Sequence, residues 1–423
     1  MINNFIYDIA VVGAGPAGVM SAIRAGWHKK NVILIEKNSS IGKKILLTGR
    51  GRCNITNLAP IETFIEVFGK EGSFFRSAFS AFFNRDLIDF FKKGGLPLKA
   101  ERQGRVFPVT DRASSVVEIL KKSLLKNKIK VLYDTRLKDI KKQKGLFELE
   151  TEKRDKIYAK KVILAAGGAS YKITGSSGDG FRLAKKLGHS IISLKPALVP
   201  LKTEEVWVKD LAGLSLKNIR LIFKYGRKKI TSDIGELIFT HFGLSGPLVL
   251  DLSGRIVSLL GKHEKIFLFI DLKPGLKPEE LEARLLREFD AQRNARLKNI
   301  LKSLLPQRLI SIFLNIAGLL PQKKINQVSR KERQALIKFL KAFPLTIKGS
   351  LPIEEAMVTN GGVSRKEIDP RSMESKIIPG FYFAGEIIDG CASSGGYNLQ
   401  QAFSTGFLAG ESAVYTLRKN RSL

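Results

Sequence analysis

Cysteine is nearly missing from this chain of 423 residues. The two present, Cys53 and Cys391, are too few for a disulfide framework and lack metal-ligand spacing. With only four histidines to add, no structural metal is expected. Long apolar runs are missing too, since nothing approaches the roughly 20 residues that span a bilayer. Leu309–Leu320, the most apolar long stretch, is interrupted by Ser311, Asn315 and Gly318 and reads as a packed helix. No basic region, apolar stretch and cleavage site of a signal peptide is visible, which points to the cytoplasm. Acid is scarce: 39 Asp and Glu stand against 72 Lys and Arg, a net charge of +33. So basic a surface attracts phosphate polymers and anionic lipid. Lysine doublets such as Lys29-Lys30, Lys160-Lys161 and Lys323-Lys324 nevertheless recur along the whole chain. Their spread favours a lysine bias on solvated faces over a nucleic-acid surface, and both readings stay open. No repeat or low-complexity segment is evident.

What is present begins with Asp8-Ile9-Ala10-Val11-Val12-Gly13-Ala14-Gly15-Pro16-Ala17-Gly18, an apolar run stopping on glycines spaced G-x-G-x-x-G. Such a run reads as a buried parallel strand turning into a helix whose N-terminus faces a pyrophosphate. The fingerprint alone is weak, and its context strengthens it. Asn31–Glu36 supplies a second strand ending in an acid eighteen residues beyond Gly18. A carboxylate there accepts from both ribose hydroxyls of an adenosine.

With 44% hydrophobic residues the chain can bury two or three domains. Residues 1–192 with 352–423 read as an α/β, Rossmann-like unit. Within it, phenylalanines from Phe74 to Phe91 suggest a core-facing helix, Val116–Leu125 an amphipathic helix, and Ile129–Tyr133 a strand returning to the sheet. Leu146–Thr151 and Lys156–Tyr158 suggest a small hairpin ahead of a separate strand, Lys161–Leu164, which ends on Ala166-Gly167-Gly168. Residues 193–275, with runs such as Leu221-Ile222-Phe223 and Ile266–Ile270, read as a β-rich insertion. Residues 276–351 read as a helical subdomain, with a helical pattern from Pro278 to Phe343. Gly380–Glu386 then forms a strand ending on Gly-Glu, and Gly395–Ala402 a loop opening a terminal helix.

Three strand ends, at Gly13, Gly167 and Gly385, therefore finish on glycine-rich turns, and this favours FAD over NAD as the held cofactor. FAD must be gripped from adenosine to flavin, and the turn at Gly395-Gly396 can offer helix N–H groups to the flavin's electron-rich edge. Candidate cofactor contacts are Gly13, Gly15, Pro16, Ala17, Gly18, Glu36 and Lys37 at the first turn. Lys44, Thr48, Gly49, Arg52, Cys53 and Asn54 follow in the next loop. Ala166, Gly167, Gly168, Gly385, Glu386, Asp389, Gly396, Tyr397, Asn398 and Leu399 complete the set. No second complete G-x-G-x-x-G is visible, so NAD(P)H would dock transiently as a donor; Gly175–Gly180 lacks the spacing.

The strings Gly49-Arg50-Gly51-Arg52-Cys53-Asn54-Ile55-Thr56-Asn57 and Phe239-Thr240-His241-Phe242-Gly243-Leu244-Ser245-Gly246-Pro247, with Gly13–Gly18, Gly385-Glu386 and Gly396–Leu399, carry a closer likeness. Over nearly its entire length the chain resembles the bacterial BaiN/YhiN-type flavoproteins, commonly labelled NAD(P)/FAD-dependent or aminoacetone-oxidase-type enzymes. The resemblance implies an FAD-binding scaffold of the two-dinucleotide-binding-fold type with a β-barrel-like insertion and a small helical part. It implies no firm substrate. The loop Asp389–Gly395 departs from the D-x-D-G-x-C/T-G-G-Y-N form associated with the family.

Because flavin carries the redox chemistry, an acid–base pair is not required. Arg50, Arg52 and Asn54 either bind the flavin edge or an anionic substrate, or only fix the loop and the pyrophosphate, the reading we favour. His241 suits proton transfer by its intrinsic pKa, although a histidine among aromatics is more often a packing residue. Cys53 and Cys391 could exchange electrons with flavin as a dithiol, but 338 positions separate them and independent thiols are the plainer reading. The leading expectation is an FAD-dependent oxidoreductase acting on a small organic molecule in the insertion-domain cleft, reoxidised by NAD(P) or oxygen. The alternatives are a flavin-dependent tRNA-modifying or RNA-binding flavoprotein, and a flavin-bearing regulatory protein without turnover. Oligomeric state is not legible.

Overall fold

The apolar run ahead of the first glycines forms strand β1 (Ile6–Val12), whose Ile9, Ala10 and Val11 are fully buried. A parallel strand covered on both faces needs apolar residues at every position, which is why the run shows no alternation. The computed structural model describes residues 5–263 and 265–419. In it β1 lies inside a seven-stranded sheet with β2 (Val32–Ile35), β6 (Lys130–Leu132), β7 (Leu137–Gln143), β8 (Leu146–Thr151), β9 (Lys156–Leu164) and β18 (Phe381–Phe383). The order β6-β2-β1-β9, with β18 beside β9, is parallel throughout.

Strand β9 corrects one expectation, because the hairpin arm and the following strand are a single element. Its first half pairs antiparallel with β8, its last three residues pair parallel with β18, and β1 runs along its other edge. Burial follows: Ile157, Ala159 and Lys161 are buried alternately, and then Val162, Ile163 and Leu164 are buried without a break. One strand thus passes from a half-covered to a fully covered sheet, and its change of pattern reads in sequence as two elements.

Between β2 and β6 stand a small antiparallel sheet, β3 (Thr56–Asn57), β5 (Arg105–Pro108) and β4 (Leu98–Ala100), and the helices α2 (Ile61–Val67), α3 (Arg76–Ala81), α4 (Asn84–Lys93) and α5 (Ala113–Lys126). The phenylalanine-rich stretch is not one helix. It breaks at Phe82, whose backbone is extended, and α4 restarts where the Asp86 carboxylate accepts from the Phe83 N–H at 2.8 Å. The break lets Phe75, Phe79 and Phe91 enter the core while Phe82 stacks on Phe407 of the terminal helix α12 (Tyr397–Lys419). α1 (Pro16–Trp27) lies so close to α12 that a Cβ on Gly406 would sit 2.3 Å from the Ala17 carbonyl oxygen. α6 (Asp179–Lys186) and the antiparallel pair β10 (Ile191–Ala197) and β17 (Val358–Val363) complete this unit, which runs to Ala197 and resumes at Ile353.

Leu198–Pro352 forms a second unit with its own hydrophobic cluster. Its strands β11 (Leu201–Thr203), β14 (Gly243–Ser245), β13 (Lys228–Thr240), β12 (Ser215–Tyr225), β15 (Ile266–Asp271) and β16 (Phe343–Ser350) close in that order into an antiparallel barrel. Side chains alternate across such a sheet. Hence Ile266, Leu268 and Ile270 are buried while Phe267 between them is exposed. α7 (Pro247–Leu260) follows β14, and α8 (Pro278–Ala291), α9 (Leu297–Ile300), α10 (Gln307–Ile316) and α11 (Arg330–Lys341) lie between β15 and β16 in the chain. The helical tract ends at Lys341, and Phe343 opens the strand that closes the barrel. α10 buries Leu309, Ile310, Phe313 and Leu314. Among the described residues no helix is long and apolar enough to cross a membrane.

Candidate functional site

The glycines after β1 mark how tightly the elements meet. A Cβ on Gly18 would lie 1.8 Å from the Gly13 carbonyl oxygen, and one on Gly13 would lie 2.5 Å from that of Ala165, just beyond β9. At Gly15, the residue that caps α1, a Cβ would meet no atom within 4 Å. Two glycines are therefore demanded by contact between strand and helix, and the third leaves open space before the helix N-terminus. That is the cradle a pyrophosphate requires.

A pocket in front of this turn is lined by Gly13–Ala17, by Ala166 and Gly167 beyond β9, by Gly385 and Glu386 beyond β18, and by Asn398 and Leu399 of α12. Three strand ends distant in sequence meet because β1, β9 and β18 are adjacent and parallel. Glu36 is buried beside them; one of its oxygens accepts from the Ala14 N–H at 2.7 Å, the other from the Asn38 N–H and side-chain amide at 2.8 and 2.7 Å. The residues fit a dinucleotide with a ribose at Glu36 and a pyrophosphate at Gly15.

Two ion pairs stand in the same pocket. Lys44 Nζ donates to both oxygens of Glu386, at 3.0 and 2.7 Å, and to Ser170 Oγ at 2.7 Å. Burial opposes ionisation of Glu386, but Lys44, the Thr359 N–H and Ser170 outweigh it and hold the carboxyl below the usual glutamate range. Asp179, at the start of α6, receives Lys37 Nζ at 2.8 Å and the Arg136 guanidinium at 2.7 and 3.0 Å. Burial again opposes its charge, and Arg136, Lys37 and Ser177 together hold it far below the aspartate range.

Lys37, Lys44 and Thr48 line the pocket, whereas Gly49, Arg52, Cys53 and Asn54 are not among its walls. Arg52 lies over the Phe107 ring and pairs with Glu101 and Asp111. Asn54 Oδ1 accepts from the Val106 N–H, joining the loop to β5. Cys53 is fully buried, which pushes its thiol up to about 12. Gly168 borders the ion pair, since a Cβ there would meet Thr359 Oγ1 and Glu386 Oε1. Asp389 pairs with Arg365 at 3.1 Å, Tyr397 sets its ring edge-on to Phe64, and Gly396 abuts the Thr56 carbonyl. Cys391 is a free, half-buried thiol, pushed up to about 12 by burial and the carboxylates of Glu386, Glu71 and Asp389. His241 belongs to the barrel unit, exposed in the turn between β13 and β14 with its ring against Phe242.

Sequence reasoning passed over Asp179, Arg136, Asn38, Ser176, Met357 and Gln401, all of which line the pocket. The signal for Asp179 was present, an acid flanked by Gly178 and Gly180 at a helix start. Thr56 and Asn57 were also undervalued. Thr56 Oγ1 donates to Gln400 Oε1 at 2.6 Å and Asn57 Nδ2 to the Gly395 carbonyl at 3.0 Å, so the G-R-C-N-I-T-N string fastens its loop to α12.

Comparison with known proteins agrees with this architecture. Residues 7–412 match the family described as HI0933-like protein Rossmann domain. The chain is 31% identical over 408 residues to a 3-dehydro-bile acid delta(4,6)-reductase of Clostridium scindens, covering 96% of this chain and 98% of that one. It is 30% identical over 419 residues to a ribosomal RNA dihydrouridine synthase of Escherichia coli, with the same two coverages. Among solved structures, the open conformation of a flavocytochrome c3 fumarate reductase matches at a TM-score of 0.53 and 15% identity, over 97% of this chain and 78% of the other. The shared fold is that of FAD-binding flavoenzymes.

Proposed function

The chain belongs to the HI0933-like Rossmann family of flavoprotein oxidoreductases, and from that membership we propose that it reduces a carbon–carbon double bond conjugated to a carbonyl, with a reduced nicotinamide as electron source. One observation carries the reading of the site: the ends of β1, β9 and β18 open on a single pocket that holds both Glu36 and Glu386. The names of two relatives support the acceptor chemistry. One reduces the Δ4,6 system of a 3-oxo acid and the other makes dihydrouridine, so both saturate an alkene activated by a carbonyl.

Bound FAD supplies the two-electron carrier. Glu36 would hold the adenosine ribose, and the N–H groups at the start of α1 the pyrophosphate. Gly385, Glu386, Asn398 and Leu399 would bound the flavin end. Lys44, fixed on Glu386 and Ser170, keeps the Glu386 carboxylate charged and oriented at that end. Asn398 accepts from the Ala392 N–H and donates to its carbonyl, both at 2.9 Å, so it holds the Cys391 loop beside that end. The acceptor takes up one hydride and one proton while the nicotinamide gives up the electron pair.

Anaerobic stopped-flow measurement on the FAD-loaded protein tests the reading. Reduction by NADH or NADPH, followed by reoxidation with a 3-oxo-Δ4 steroid or a simple cyclic enone, is the expected result. A purified protein that neither carries nor takes up FAD, or a reduced flavin that oxygen alone reoxidises, would sink it.

A further inference from the structure

The first unit carries a second concavity, a groove of about 1840 Å³ along β6, past the starts of β1 and β2 and the turn between β8 and β9. Its walls hold ten lysines and arginines and three acids, an excess of seven among 29 residues. Across the whole chain the excess is 33 in 423, so the groove is about three times as basic as the average. Lys126, Lys128, Lys130, Lys153 and Lys172 are exposed there and form no ion pair among the described residues. Lysines that close α1 and α5 have an ordinary reason to be where they are, at the negative end of a helix dipole. That reason does not extend to Lys130, Lys153 or Lys172.

Aromatic side chains are concentrated in the same place. Five are exposed among the described residues, and three of them, Phe5, Trp27 and Tyr133, line this groove. Exposed rings beside unpaired ammonium groups form a stacking platform with a phosphate track. A flat bilayer could not reach rings set within a concavity. Of the three acids, Glu152 pairs with Arg136 at 3.1 Å, and the carboxylates of Asp134 and Asp155 are acceptors that suit the 2′-hydroxyls that only ribose offers. The groove also shares Lys37, Thr135 and Arg136 with the cofactor pocket, so a strand lying in it approaches the adenosine end.

We propose that this groove binds single-stranded RNA, its phosphates on the unpaired lysines and its bases on Phe5, Trp27 and Tyr133. The inference stands on the chemistry of the groove and not on which acceptor the flavin site reduces. Fluorescence anisotropy of a labelled 20-mer uridine-rich RNA, titrated with the FAD-loaded full chain over a range of KCl, tests it. Binding should fall linearly on a log–log plot against salt. Lys126→Glu with Lys128→Glu and Lys130→Glu should weaken it by about a hundredfold at ~0.1 M salt, from three lost contacts at a slope of about −0.7 each. Phe5→Ala with Tyr133→Ala should weaken it with little change of slope. Both variants should keep the flavin spectrum and the rate of enone reduction, which separates failure here from failure of the proposed reaction. Absence of RNA binding, equal binding by all variants, equal binding of the matching DNA, or preference for phosphatidylserine vesicles would each overturn the proposal.

Discussion

Glu36 accepts hydrogen bonds from two loops, holding the Ala14 N–H of the glycine turn on one oxygen and Asn38 of its own loop on the other. The carboxylate is therefore oriented in advance, with its remaining lone pairs available to a ribose. Glu36→Gln sets its new NH2 against a donor in either orientation, the Ala14 N–H or those of Asn38, and hydrogen bonds to charged groups contribute about 1.5–3 kcal/mol. FAD affinity should drop roughly ten- to a hundredfold, read from the quenching of FAD fluorescence on titration. A second residue-scale expectation concerns His189, whose side chain is fully buried between Ser375 and Glu367. Ser375 Oγ accepts from the Ile377 and Ile378 N–H groups, so its own proton faces His189 Nε2. Burial holds the imidazole below its ordinary value of 6.5, against the opposing pull of Glu367. The unfolded chain therefore binds a proton that the folded chain refuses, and stability should fall as pH drops through about 6.5. Glu367, itself held below the usual range, adds to the loss only below pH 4.5. Melting temperatures across pH should show both phases, and His189→Gln should remove the first.

At the scale of elements, the contact between α1 and α12 decides whether the cofactor turn keeps its shape. Ser21 Oγ lies 2.9 Å from both the Ala17 and the Gly406 carbonyl oxygens, and Gly406 and Gly410 let the two backbones approach. Gly406→Ala places a methyl group 2.3 Å from a backbone oxygen, where no flexible side chain can yield. Overpacking of this kind costs about 1–3 kcal/mol. The variant should melt earlier and retain less FAD through purification, because the N-terminus of α1 is where we place the pyrophosphate. Equal FAD content and an unchanged melting curve would show that the helices separate without consequence.

For the whole molecule the dominant quantity is charge. A net charge of +33 opposes compaction by self-repulsion, and salt screens it. Raising KCl from about 0.05 to 0.3 M should therefore raise the melting temperature. A fall would show that ion pairs such as Lys37–Asp179 and Lys44–Glu386 outweigh the repulsion.

Local chemistry made much of this protein legible from sequence. The glycine turn at Gly13–Gly18, the acid at Glu36, the apolar runs of the sheet and the alternation of the barrel strands are each dictated by neighbours a few residues apart. The fusion of two expected elements into β9 and the break at Phe82 were not legible, because each answers to a partner far along the chain: β18 for the first, Phe407 for the second. The same holds within the pocket. Sequence alone marked the dinucleotide fingerprint and the three glycine-ended strands. Tertiary structure decided that Asp179 and Arg136 join it and that Arg52 and Asn54 fasten a loop. It also decided that scattered lysines gather along one groove, since charges distant in the chain acquire a common field only when folding brings them within a Debye length of one another.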